Sequence, residues 1–267
     1  MSSPLGNDLM AKDAWNPAQY ERFKNERSQP FFDLMALVKP RANMRVVDLG
    51  CGTGELTREL HRALKAKATL GVDNSASMLK DSAKFAGDGL TFAQSDIAGF
   101  SGGPFDLIFS NAALHWLEDH ESLLARLWKM LAPSGQLAVQ VPANHDYPSH
   151  TLAEEMAARE PYAGALKGYV RKSPVLTPAD YAALLFKLGA SEQSVQLRVY
   201  GHVLESSDGV VEWVRGTTLT DYQKRLTPDL FTRFLDEYRR ELVARLGNDR
   251  PFFYPFKRLL LWATRPS

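Results

Sequence analysis

Val46-Val-Asp-Leu-Gly-Cys-Gly-Thr-Gly54 is the stretch on which the reading of this chain turns. Met44, Val46, Val47 and Leu49 form an apolar run of the kind that fills a buried strand, and Asp48 sits near its end. The run breaks into glycines at positions 50, 52 and 54, and residues 55–67 then read as a helix. Strand, glycine loop and helix in that order bring backbone close to a nucleotide-like ligand, because glycine has no Cβ to hold the ligand away. A dinucleotide loop is spaced Gly-x-Gly-x-x-Gly, and its amides and helix N-terminus receive a pyrophosphate. Here the third glycine comes one residue early, and Asp48 would repel a pyrophosphate.

An acid at that place suits a ligand with positive charge. S-adenosylmethionine (SAM) carries an ammonium and a sulfonium on an adenosine frame. At this point the chain resembles the class I SAM-dependent methyltransferases, whose first motif reads like Val47-Asp-Leu-Gly-Cys-Gly-Thr-Gly54. The resemblance implies an α/β fold: a doubly wound, Rossmann-like, seven-stranded and mostly parallel sheet with helical cap insertions.

Length and composition agree with such an enzyme and exclude other classes. The chain has 267 residues, 45% of them hydrophobic, which is ample for one large domain with a buried core. The formal net charge is +1 and no Lys/Arg block tracks phosphates, so a nucleic-acid substrate is disfavoured. The one cysteine, Cys51, excludes an internal disulfide or a cysteine-cluster zinc site, and no metal is expected. Within the loop Cys51 reads as a small fitting residue rather than a nucleophile. No basic-then-apolar leader and no long apolar run is present, so no membrane span is expected and the location reads as cytoplasmic. Oligomeric state is not legible.

Strand and helix then alternate in the manner of a parallel sheet with right-handed crossovers. Residues 15–37 read as a helix, with Tyr20, Phe23, Phe31, Leu34 and Leu37 on one face. Strands are expected at 68–73, 90–95, 104–110 and 136–141, and helices at 75–85 and 121–131, the latter stopped by Pro133 and Gly135. The rhythm changes after 142. A long stretch with helical character at 151–159 precedes a helix opening at Thr177-Pro178, a strand at 194–203, a helical run at 210–246 broken near Thr227-Pro228, and a last strand at 256–264. A single methyltransferase domain over 1–267 follows, with a core of about 38–142, 176–203 and 253–267. A helical cap over the active site is expected from about 15–37, 143–175 and 204–252.

The strand ends supply the remaining cofactor candidates. Asp48, Gly50, Cys51 and Gly52 form the first group. Asp73 ends the second strand about 20 residues after the glycine loop, where an acid can accept both ribose hydroxyls, with Asn74 beside it. The alternative for Asp73 is the cap of the next helix. By resemblance Met78 packs on the adenine face, Asp96 takes the adenine amino group with the Ile97 amide beside it, and Asn111 lies along the methionine moiety. Core packing for Met78 and a turn cap for Asp96 are the plainer alternatives.

A narrower resemblance covers nearly the whole chain. Trp15-Asn-Pro-x-x-Tyr20, Glu26-Arg27-Ser-x-Pro30, Asn111-Ala-Ala-Leu-His-Trp-Leu117, Pro148-x-His150 and Trp213-Val214 with Gly216-Thr-x-Leu219 look like trans-aconitate methyltransferases. Those enzymes methylate a carboxylate of a small tricarboxylic acid, so a small-molecule carboxylic acid is the implied substrate. A carboxylate, with a pKa near 4, needs no general base. His115 and Trp116 line the cofactor mouth in such relatives, and Arg27 and Tyr20 fall in the matching N-terminal segment; these four are the candidate catalytic residues. The chain departs from the family where an arginine-proline pair and an aromatic are expected: it has Leu219-Thr-Asp-Tyr222. Candidate cations for an acid are Arg27, Arg171, Arg215, Lys224 and Arg258. Tyr20, Trp213 and Tyr222 are candidates for closing the pocket. Two other readings stay open: methylation of a neutral metabolite with His115 as base, and a SAM-binding partner protein without turnover. A dehydrogenase ranks last.

Overall fold

The computed structural model describes residues 24–267, with side chains from Ser28 onward. Helix α1 (Lys24–Met35) leads to strand β1 (Arg45–Leu49), the apolar run around Asp48, which is buried at four of its five positions. Helix α2 (Glu55–Leu64) follows the glycine loop. Then come β2 (Ala68–Asp73), the single turn α3 (Ala76–Leu79), β3 (Leu90–Gln94), β4 (Phe105–Asn111), α4 (His120–Lys129) and β5 (Leu131–Pro142). Helices α5 (Pro148–Ala157), α6 (Tyr162–Ala165) and α7 (Pro178–Lys187) lead to β6 (Glu192–Leu204). Helices α8 (Asp208–Arg215), α9 (Thr220–Arg225) and α10 (Pro228–Leu246) lead to β7 (Phe252–Thr264).

The seven strands form one sheet in the order β3-β2-β1-β4-β5-β7-β6, and only β7 runs antiparallel to its neighbours. The fold is the Rossmann-like one expected. Strand order reverses between β1 and β4, the crevice in which doubly wound folds bind ligands. Helices cover both faces. On one, Phe31, Leu34, Leu60 and Leu64 pack against Val46, Leu107, Phe109 and Trp262. On the other, Leu124, Leu127, Trp128, Tyr181 and Leu185 pack against Val47, Ile108, Val139 and Leu261. Helix α1 is therefore a layer on the sheet, although residues 15–37 are expected in the cap.

A third cluster stands apart from both faces. Strand β5 ends at Pro142 opposite Arg258, but β6 and β7 stay paired as far as Leu204 and Phe252. This hairpin overruns the C-terminal edge of the parallel strands. Leu152, Met156, Trp213, Tyr222, Phe234 and Tyr238 from α5, α8, α9 and α10 pack on its extension at Phe252, Tyr254 and Phe256. The helical lobe is thus rooted at the edge where the glycine loop opens.

Two elements differ from the sequence expectation. The helix expected over 75–85 is split: Ser75 caps Met78, and the Ser82 hydroxyl donates to the Leu79 carbonyl at 2.7 Å, which competes with the helical ladder. The helix expected to reach 131 stops at Lys129, and Leu131 already pairs with Phe105 in the sheet. The register then jumps, Leu107 pairing with Gln136, so Pro133 and Gly135 sit in a bulge. The threonine-proline starts hold: the Thr177 and Thr227 side chains accept from the Asp180 and Leu230 amides.

Gly50 has φ +83°, and a Cβ there would lie 2.2 Å from the Ala113 Cβ. Left-handed strain costs about 1–2 kcal/mol and overpacking about 1–3. Gly50→Ala is therefore expected to lose about 2–5 kcal/mol in urea denaturation. Gly168→Ala, at φ +75° with nothing within 4 Å, loses only the strain part. Equal losses in the two variants would mean that the approach to Ala113 carries no weight.

Candidate active site

The loop is shaped by three left-handed glycines, Gly50, Gly52 and Gly54, at φ 83°, 56° and 79°. Its amides are tied to β2. Gly50 and Cys51 donate to the Val72 carbonyl at 2.8 and 3.0 Å. Asp73 closes the arrangement: Oδ2 accepts from the Gly52 amide and Oδ1 from the Ser75 amide, both at 2.9 Å. Gly50 and Gly54 are packing glycines, since a Cβ on Gly54 would stand 2.7 Å from the Phe92 ring. Gly52 is open, with Met78 Cε the one atom near its Cβ position, at 3.3 Å.

Asp48 is buried beneath this loop, and Thr57 Oγ1, in the first turn of α2, donates to its Oδ2 at 2.6 Å. Burial pushes the Asp48 carboxyl up to about 7; the Thr57 hydrogen bond opposes that shift and the nearby Asp73 carboxylate adds to it. Burial, with Asp48 and Asp73 close by, also pushes the Cys51 thiol above its ordinary range. A thiol held protonated is no nucleophile.

The other expected cofactor positions gather around the loop. Ile97 Cδ1 lies 3.7 Å from the Gly50 Cβ position. Asp96 is exposed at the rim and its Oδ1 accepts from the Ala98 amide at 2.9 Å, the turn-capping alternative. Asn74 is exposed and accepts Gln94 Nε2 on its carbonyl. Asn111 ends β4 with a buried Oδ1 that has no hydrogen-bond partner among the described residues. Ala112 follows at φ 55°, a left-handed turn that brings Ala113 back onto Gly50.

That turn carries His115 and Trp116 to the same edge. The His115 ring lies 4.7 Å from that of Trp116, and its Nδ1 is buried without a partner among the described residues. Burial pushes His115 down to about 3, and the charges of Arg171, Arg258 and His120 push the same way. His150 is likewise pushed down to about 3, by burial and then by Arg171. The Arg171 guanidinium stands 5.4 Å from the Trp116 ring, and its Nε donates to Asp221 Oδ2 at 2.9 Å. Arg258 is 5% exposed, with its Cζ 4.8 Å from the Phe256 ring. Of the five candidate cations, Arg171 thus reaches the edge that His115 and Trp116 occupy, and the charge of Arg258 is felt at the His115 ring. Arg215 instead pairs with Glu212 at the surface, and Lys224 is exposed. Trp213 and Tyr222 are core residues of the lobe. Tyr20 and the Arg27 side chain lie outside the described residues.

Sequence reasoning missed Thr57 and Gln140. Gln140 is fully buried, lies in register with Asn111, and has no partner for either amide atom among the described residues. Its one signal is a polar residue inside the apolar run Leu137-Ala-Val-Gln-Val141. Among the described residues, no His, Cys, Asp and Glu cluster is arranged to hold a metal ion, and no helix is long and apolar enough to cross a membrane.

Known proteins share this architecture and sequence. Residues 47–139 match the family model described as a methyltransferase domain. The chain is 48% identical over 259 residues to the trans-aconitate 2-methyltransferase of Deinococcus radiodurans, covering 95% of this chain and 99% of that one. It is 38% identical to the enzyme of the same name from Methylobacterium nodulans, covering 94% and 98%. Among solved structures, YcgJ of Bacillus subtilis superposes with a TM-score of 0.60 at 15% identity, covering 90% of this chain and 99% of its own. Phosphoethanolamine N-methyltransferase 2 of Haemonchus contortus, solved with SAM, also gives 0.60 at 16% identity, covering 97% and 59%. These two likenesses concern the fold.

The Asp48 carboxyl makes a pH prediction with a definite sign. Its pKa rises on folding from 3.8 to about 7, so the folded state disfavours the ionised form. That cost is absent below about pH 4, grows as pH rises, and is complete above about pH 7. Asp48→Asn keeps an acceptor for Thr57 and cannot ionise. It is expected to gain about 2–4 kcal/mol of stability relative to the parent chain between pH 4 and pH 8, read by urea denaturation. A difference independent of pH would contradict this.

Proposed function

The chain belongs to the trans-aconitate 2-methyltransferase family of SAM-dependent enzymes, and we propose that it methylates a carboxylate of a small polycarboxylic acid, trans-aconitate first in line, to give a methyl ester. The observation that carries this reading is the Arg171 guanidinium 5.4 Å from the Trp116 ring, itself 4.7 Å from that of His115, with the charge of Arg258 also felt at that imidazole. Guanidinium groups suit carboxylates in charge and geometry.

The loop's chemistry fits the cofactor. Residues 46–56 contain no lysine or arginine, while Asp48, Asp73 and the unpartnered Asn111 Oδ1 are acceptors. That set favours a ligand bearing an ammonium and hydroxyls over one bearing phosphates. In this reading Asp48 and Asn111 hold the amino-acid end, and Gly50, Cys51 and Gly52 supply close backbone. Asp73, with Asn74 beside it, holds the ribose through its remaining lone pairs. Met78, Asp96 and Ile97 surround the adenine. SAM supplies a methyl group on a sulfonium, whose leaving group is a neutral thioether.

The protein's own task is then to bind and align the acid and to exclude water. A carboxylate is ionised at neutral pH and needs no proton removed. His115, held near 3, is neutral throughout the physiological range and a poor base, which weighs against a neutral acceptor activated by it. It remains a neutral hydrogen-bonding wall beside Trp116. Tyr20 and Arg27 stay in the proposal through the matching N-terminal segment.

Steady-state kinetics test this reading. Arg171→Gln and Arg258→Gln are each expected to raise KM for the acid about 10- to 100-fold, the equivalent of one charged hydrogen bond, with SAM affinity unchanged by calorimetry. Unchanged KM in both would remove the cationic site. At saturating SAM and acid, kcat is expected to be flat from pH 6 to 8.5, and His115→Asn to stay flat. An ascending limb near pH 6.5 that disappears in His115→Asn would restore the base.

A further inference from the structure

Arg171 lies in residues 169–177, a stretch with no helix or strand of its own. Two consecutive residues of α9 hold it in place. Tyr222, fully buried and 5.3 Å from the Phe234 ring, accepts the Arg171 backbone N–H on its hydroxyl at 3.2 Å. Asp221 accepts the side-chain Nε–H at 2.9 Å. Both side chains of the ion pair are shielded, at 16% and 28% exposure.

A guanidinium presents two edges to carboxylates. The bond to Asp221 engages Nε and leaves the Nη pair for another acceptor. The guanidinium lies over Trp116 and lines a small cleft with His145, His150, Ser173 and Thr218. Glu154 borders the same cleft, with Lys172 Nζ on its carboxylate at 2.6 Å. Two cations and two anions thus stand there, so the net charge offers an acid little long-range attraction, although the charge of Arg171 still reaches His115 and His150. Recognition through Arg171 must come from the short-range geometry of its Nη edge, and that geometry is what Asp221 sets.

We propose that Asp221 is a positioning residue for acceptor recognition: by holding Nε of Arg171 across Trp116, it presents the Nη pair to a carboxylate of the substrate acid. This rests on the carboxylate reading above. Asp221 does not touch the acid; its negative charge, unfavourable by itself for an anionic substrate, is the cost of fixing a cation that itself lies in no helix or strand.

The test is kinetic, with acid varied at saturating SAM. Asp221→Asn is expected to raise KM for the acid about tenfold, with kcat within about twofold and SAM affinity unchanged. Asp221→Glu should recover part of the loss, and Asp221→Asn combined with Arg171→Gln should be no worse than Arg171→Gln alone. A merely repulsive Asp221 predicts the opposite, a lower KM in Asp221→Asn, and that result, an unchanged KM, or multiplying effects in the double variant would overturn the proposal. Should Asp221→Asn not fold, Arg171→Lys keeps the charge and loses the fork. It should then show the same rise in KM, and an unchanged KM would overturn the proposal. A parent enzyme that methylates no polycarboxylate overturns the carboxylate reading, and this with it. One that does, with Asp221→Asn unaffected, overturns this inference alone.

Discussion

The contact between Gly50 and Ala113 is the constraint from which the site follows. At 2.2 Å from a would-be Cβ to the Ala113 Cβ, the end of β1 and the exit of β4 can meet only if position 50 has no side chain. That meeting closes the switch point of the sheet on one side. It sets the glycine loop against the segment carrying Asn111, His115 and Trp116, so cofactor and acceptor share one edge. The same packing buries Asp48 under the loop, where Thr57 is its hydrogen-bond donor and its carboxyl is held near neutrality.

A second constraint is the length of the final hairpin. Because β6 and β7 stay paired beyond the end of β5, aromatic residues at 252–256 extend past the sheet and become the root of a helical lobe. The lobe does two things for the chemistry. Its bulk lowers the dielectric around His115, and its elements deliver charge. Arg258 comes from β7 itself, at the position opposite Pro142, and Arg171 from an irregular stretch clamped by α9. The His115 imidazole stays neutral because burial disfavours its cation, and the charges of Arg171 and Arg258 act the same way. On the proposed reading the site is suited to anion binding rather than proton abstraction, as esterification of a carboxylate requires.

The parts legible in the sequence were those encoded locally. Glycine spacing, the acid before it and the acids at successive strand ends need only nearest neighbours in the chain, and they place the loop and the sheet and set the candidate cofactor positions at its strand ends. Threonine-proline helix starts are equally local. What escaped depends on contacts distant in sequence. The bulge that starts β5 at Leu131 arises from pairing with β4, and the break in 75–85 from a serine turned back on its own backbone. Gln140 looks like an error in an apolar strand until Asn111 is set beside it. Asp221 reads as a loss of positive charge at a family position, and only its pairing with Arg171, 50 residues away, turns it into a support. Arg171 and Arg215 are alike as residues in a sequence; one faces the site because α9 holds it, the other pairs at the surface.

In the proposed reaction an ionised carboxylate oxygen receives the methyl group without a base. Incubating the enzyme with trans-aconitate and SAM carrying an isotopic label on its methyl, then treating the product with mild alkali, tests it most directly. A methyl ester releases the label as methanol on hydrolysis, and that is the result this account predicts. Label that survives alkali on a phenol or amine acceptor, with none transferred to any polycarboxylate, would contradict it.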